Sequence, residues 1–124
     1  MLAGCPFSGF ALTSHPDAAR AFYRDVLGLA LLHEDDFGME FEVAGARLRV
    51  SKIEAFEPAA HTIAGWTVGD IAAMARELVA KGVQFNHYPG MPQDQLGVWS
   101  PDGATKVAWF KDPDGNTLSL TQVG

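Results

Sequence analysis

Residues 106–122 read Lys106-Val107-Ala108-Trp109-Phe110-Lys111-Asp112-Pro113-Asp114-Gly115-Asn116-Thr117-Leu118-Ser119-Leu120-Thr121-Gln122. Val107 and Trp109 alternate with Ala108 and Phe110, which is the period of a strand. Asp112 to Asn116 then form a turn for stated reasons. Pro113 presets φ, Gly115 admits a positive φ, and the Asp and Asn side chains can bond nearby backbone groups. Beyond the turn, Leu118 and Leu120 point one way and Thr117, Ser119 and Thr121 the other. The stretch predicts a β-hairpin whose leucines face a core and whose hydroxyls face something wetter.

The rest of the chain is consistent with one compact domain, residues 1–124, large enough for a real core. Hydrophobic residues make up 48% and charged residues 19%, an ordinary globular balance. A net charge of −6 with no basic run argues against nucleic acid as a partner, because counterion release needs clustered Lys and Arg. The charge cluster His33-Glu34-Asp35-Asp36 reads as a solvated loop. No apolar run approaches the roughly 20 residues of a membrane helix. No basic stretch followed by a long apolar one opens the chain, so neither a membrane role nor a signal peptide is expected. The single cysteine, Cys5, cannot close an internal disulfide. It fits a reducing cytoplasm and reads as an inert thiol.

Taken in order, residues 6–13 predict a strand with Ser8, Phe10 and Leu12 on one face. Ser14 or His15 can cap a helix that begins at Pro16, buries Ala18, Ala21, Phe22 and Leu29, and stops at Gly28. Strands follow at about 30–35, 39–44 and 47–54. After a connector carrying Pro58, a strand at 62–68 leads into a helix over 70–81. Asp70 is its cap, Ile71, Met74, Ala75, Leu78 and Val79 its buried stripe, and Gly82 its stop. Further strands are expected near 83–88, 95–100 and 105–111, with the last at 117–122. The order is β-α-β-β-β twice, with weak identity between the halves.

The hairpin, together with Ala21-Phe22-Tyr23-Arg24-Asp25-Val26-Leu27-Gly28-Leu29, resembles the vicinal oxygen chelate superfamily of glyoxalases, bleomycin-resistance proteins and extradiol dioxygenases. The resemblance covers nearly the whole chain. It implies an α+β fold: two βαβββ modules, about 6–54 and 62–122, forming a curved, incompletely closed mixed β-sheet around a cavity, with helices outside. It also implies a homodimer.

The superfamily's metal enzymes place up to four His or Glu ligands on inward faces. Carried across by position, those places fall on Ser8, Arg49, Ile63 and Ser119. None is a good ligand, and Arg49 would repel a cation, so no metal and no cofactor is expected. By the same resemblance Val107 and Trp109 line the cavity, with Trp99 on the neighbouring strand, whereas Trp66 reads as core. Phe10 shares the face of Ser8. Arg49, on the face opposite Leu48 and Val50, is either an anion receptor or half of an internal ion pair.

His61 could be a general base or a solvent-exposed connector residue, and Asp94 a ligand contact or a loop cap. No dinucleotide or Walker motif is present. The leading reading is a metal-independent binding protein for an anionic or aromatic small organic molecule. The alternative is a glyoxalase-like lyase or isomerase, or a dioxygenase, with His61 or Asp94 as catalytic base in the lyase or isomerase case.

Overall fold

The computed structural model describes residues 1–124. The chain divides into two compact units, Met1–Pro58 and Ala59–Gly124. Each carries its own mixed, unclosed sheet in a βαβββ-like module.

In the first unit, β1 (Ser8–Thr13) leads into α1 (Pro16–Arg20) and a π-helical continuation, Ala21–Val26. Three strands follow: β2 (Ala30–Glu34), β3 (Gly38–Val43) and β4 (Ala46–Lys52). The sheet order is β1-β4-β3-β2. β1 runs parallel to β4 and the other pairs are antiparallel. Alternation decides the faces. Ala11, Met39, Phe41, Leu48 and Val50 are buried on one side, and Tyr23 packs its ring 5.7 Å from that of Phe41. Burying each such ring contributes about 2 kcal/mol.

The helix corrects the predicted stripe. Ala18 and Ala21 are exposed and Phe22 is half-buried, while Ala19 and Tyr23 are fully buried. Tyr23 carries a hydroxyl, yet its ring belongs to the core. The wider π turn, with Leu27 N–H donating to the Phe22 carbonyl at 2.9 Å, also displaces the register beyond Arg20. Gly28 ends the segment at φ +76, and Leu29 N–H closes back on the Tyr23 carbonyl at 3.0 Å. His15 holds the cap position without a side-chain cap bond. Its ring nitrogen instead meets Ser14 Oγ at 3.2 Å.

The acidic cluster is only partly a solvated loop: Asp35 and Asp36 are exposed beyond the end of β2, but Glu34 is half-buried. Glu34 ends β2 as the acceptor of a two-pronged bond from Arg20 and of Lys52 at 2.9 Å. Asp35 Oδ1 accepts the backbone N–H groups of Phe37 and Gly38, at 2.8 and 3.0 Å, and so builds the turn into β3. Those bonds hold its carboxyl below the usual carboxylate range, with help from His33.

In the second unit, β5 (Thr62–Thr67), α2 (Ile71–Ala80), β6 (Lys106–Lys111) and β7 (Thr117–Gln122) are the regular elements. The order is β5-β7-β6. β5 is parallel and β6 antiparallel to β7. Asp70 caps α2 by accepting Ala73 N–H at 3.1 Å, and Gly82 follows its end at φ +97. Ile71, Ala75 and Leu78 are buried, but Val79 is 49% exposed and leaves the predicted stripe. Ile71 N–H also donates to Gln122 Oε1 at 2.9 Å, tying the helix to β7. Ala108, Phe110, Leu118 and Leu120 form the core face, and Trp66, opposite Leu120, is half-buried.

The strands expected at 83–88 and 95–100 reduce to isolated bridges, Phe85 to Phe110 and Trp99 to both Gln93 and Val107. Pro89, Gly90 and Pro92 interrupt the ladder. Asp94 Oδ1 takes the N–H groups of Leu96 and Val98, both at 2.9 Å, which a regular strand would have used.

The hairpin turn is organised by Asp112, which is 5% exposed. Its Oδ1 accepts from Asp114 and Asn116 N–H, and its Oδ2 from Asn116 Nδ2 at 2.8 Å. No helix of the chain is long and apolar enough to cross a membrane.

Candidate functional site

The second module's non-core face is built on β7. Its alternation sends Thr117, Ser119 and Thr121 away from the leucines. The pairing registers align Gly65, Ser119 and Trp109 in one row across three strands, and Thr67, Thr121 and Val107 in the next. Trp99 extends that second row through two backbone bonds with Val107, at 2.8 and 2.9 Å. The rings of Trp99 and Trp109 therefore meet, with centroids 6.0 Å apart and planes tilted by 35°. Tyr88 stands edge-on to Trp109 at 5.7 Å. Both tryptophans are half-buried, and Tyr88 is 38% exposed.

Tyr88 is held in place by its neighbours. Asn86 Nδ2 donates to its hydroxyl at 3.0 Å, and Gln93 Oε1 accepts its backbone N–H at 2.7 Å. Gln93 Nε2 also donates to the Asn86 and Gly97 carbonyls, both at 2.8 Å. A loop without regular strands is thereby fixed beside β6.

The first module's non-core face carries charge. Its rows are Ser8–Arg47–Glu42, Phe10–Arg49–Glu40 and Leu12–Ser51–Gly38. Phe10 is 65% exposed. Arg49 has two carboxylates at 4.0 Å, those of Asp35 and Glu40. Arg47 has Glu40 at 3.6 Å and Glu42 at 3.8 Å. At 4.0 Å the guanidinium of Arg49 has charge neutralisation without a close hydrogen-bond acceptor.

The remaining candidates are scattered. Ile63 sits where the register of β5 on β7 slips, between Thr62 and Ala64. Such a bulge breaks the alternation that would have placed His61 on the face of Ile63. His61 is exposed and precedes the strand. Asp94 is a loop cap, and it also lines an open cleft of about 280 Å³ with Ser100 and Lys106. Trp99, Trp109 and Ser119 do not line that cleft.

Ser8, Arg49, Ile63 and Ser119 offer two hydroxyls, a guanidinium and an alkyl chain. That donor set does not fit a divalent transition metal, which takes imidazole, carboxylate or thiolate. Nowhere does the chain gather three or more His, Cys, Asp or Glu side chains that could hold a metal ion.

Sequence reasoning misses Gly65, Tyr88 and the acidic partners of Arg49, whereas Thr117 already falls on the hydroxyl face with Ser119. One signal was available: an isolated glycine inside a strand marks a bulge or a close approach.

The family model described as Glyoxalase/Bleomycin resistance protein/Dioxygenase superfamily matches residues 10–120. Among solved structures, the chain is similar to TnmS3, an antibiotic binding protein from Streptomyces sp. CB03234, at 21% identity and TM-score 0.72, covering 100% of this chain and 99% of that one. It is similar to a bleomycin resistance determinant encoded on the transposon Tn5, at 20% identity and TM-score 0.72, covering 94% and 95%. A third is lactoylglutathione lyase from Agrobacterium tumefaciens, at 16% identity and TM-score 0.67, covering 96% and 93%. At these identities the likeness carries the fold alone. Among curated proteins none matches in sequence.

Proposed function

The chain belongs to the Glyoxalase/Bleomycin resistance protein/Dioxygenase superfamily, and from that premise we propose that it binds a small organic molecule bearing an aromatic ring, without a metal and without turning it over. The observation that carries this reading is the row of rings formed by Tyr88, Trp109 and Trp99 on the non-core face of β6. Large rings left partly open, with a few polar groups beside them, are what a small-molecule site offers. Two of the similar structures are named for binding or resistance, which supports binding over turnover. The lyase or isomerase alternative has less behind it, since His61 is exposed and Asp94 is engaged by its own loop.

For the first module we propose that Arg49 contacts an anionic group, because its fork has no close acceptor. We also propose a cytoplasmic homodimer. Edge strands such as β1, β2 and β5 are templates for pairing with a second chain, and a lone free cysteine suits a reducing compartment.

Adding naphthalene to the purified protein tests the ring-binding reading. Tryptophan emission should change in a saturable way, and emission that stays unmoved up to the solubility of naphthalene contradicts it.

A further inference from the structure

Ser119 and Thr117 are unusual among the polar residues of this chain. Each is more than nine-tenths buried, at 9% and 5% exposure. Both stand on the non-core face of β7, and neither hydroxyl has a hydrogen-bond partner within the protein. No buried side-chain oxygen is sealed away without a partner, so both hydroxyls keep some access to solvent.

The access at Ser119 has a cause in the sequence. Its neighbour on β5 is Gly65, and a Cβ built on Gly65 would collide with Ser119 Oγ. The serine hydroxyl therefore leans over bare backbone on one side. On its other side, one strand spacing away, stands Trp109.

We propose that Gly65, Thr117 and Ser119 form a specificity notch for an uncharged oxygen substituent, a ring hydroxyl or carbonyl, at the edge of an aromatic ring lying against Trp109. This rests on the aromatic-face reading of the site and adds the chemistry of the ligand's edge. A hydroxyl both donates and accepts, so a pair of them satisfies a phenol or a quinone oxygen equally. Lys111 stands across from Thr117, but the neighbours of Ser119 in its own row, Gly65 and Trp109, carry no charge, so a charged substituent seated against Ser119 would lose hydration without a counter-charge in that row. Gly65 is needed because any larger residue would push Ser119 Oγ toward the ring.

The test is equilibrium dialysis with three probes, naphthalene, naphthol and naphthoate, at neutral pH. The wild-type protein should take naphthol about five-fold more tightly than naphthalene, the increment of one net hydrogen bond. Ser119→Ala and Thr117→Val introduce no clash and should together erase that preference while leaving naphthalene binding in place. Gly65→Ala should lose naphthol more than naphthalene, and Gly65→Ala combined with Ser119→Gly keeps the comparison open if the single variant does not fold. If naphthalene binds and the preference for naphthol is absent, or survives in the Ser119→Ala, Thr117→Val protein, the notch is refuted and the aromatic face stands. Naphthoate binding more tightly than naphthol in an Arg49→Met protein, where the charge of the first module's face is removed, also refutes it. If none of the probes binds, the aromatic-face reading falls, and the notch with it.

Discussion

Arg20 and Glu34 meet fork to fork, with Nε donating to Oε1 and Nη2 to Oε2, each at 2.6 Å. The pair fastens the end of α1 to the end of β2, and Lys52 on β4 joins it. Glu34 is consequently lowered from the ordinary 4.5 to about 2, first by the bonds from Arg20 and then by Lys52, while Arg20 is raised. A carboxyl depressed on folding contributes stability above its unfolded value and loses it as pH falls toward the folded one. Between about pH 4.5 and 2 the wild-type protein should therefore weaken, and Glu34→Gln should lack that component. At neutral pH the substitution should cost about 1–2 kcal/mol, since both side chains are about a quarter exposed or less. Urea titrations across that pH range check it, and parallel curves for the two proteins would contradict it.

Arg49→Met separates the two roles open to that residue. With its carboxylates at 4.0 Å, the internal pairing should be worth no more than about 1 kcal/mol, as for other partly exposed pairs. If Arg49 contacts an anion, affinity for naphthoate should fall by about 2 kcal/mol or more while affinity for naphthalene holds. A loss of stability of about 3–5 kcal/mol with naphthoate affinity unchanged would make Arg49 part of the scaffold.

Elemental analysis of the dialysed protein should find no stoichiometric zinc, nickel or iron, because Ser8, Arg49, Ile63 and Ser119 do not supply a divalent donor set. About one such ion per chain retained through dialysis would contradict this.

Light scattering at micromolar concentration should give twice the chain mass of 13.3 kDa. A value equal to the single chain would refute the dimer.

Much of the fold was legible where local chemistry and periodicity agree. Asp70 as cap, Gly28 and Gly82 as stops, and the strand limits of β6 and β7 all follow from turn and capping chemistry. The reading failed where a side chain competes with the ladder. Asp94 takes two backbone amides and dissolves a strand that alternation alone would draw through 95–100. It also failed at Tyr23, whose ring is fully buried although it carries a hydroxyl. For the site, the meeting of Trp99 with Trp109 comes from the isolated bridge of Trp99 to Val107, although the strand expected over 95–100 does not form. The contact of Tyr88 with Trp109 was not readable, because it depends on Asn86 and Gln93 fixing an irregular loop. The relation between Gly65 and Ser119 needed the parallel register of β5 on β7, and the bulge at Ile63 makes that register unreadable from spacing.

The aromatic face is the centre of the account, and Trp109 is its middle ring. Dialysis of naphthalene against wild-type and Trp109→Ala protein, with circular dichroism confirming that both are folded, tests it most directly. Truncating a central aromatic anchor should weaken binding by about 2 kcal/mol or more, roughly thirty-fold. A folded Trp109→Ala protein that binds naphthalene as well as the wild type would contradict the account.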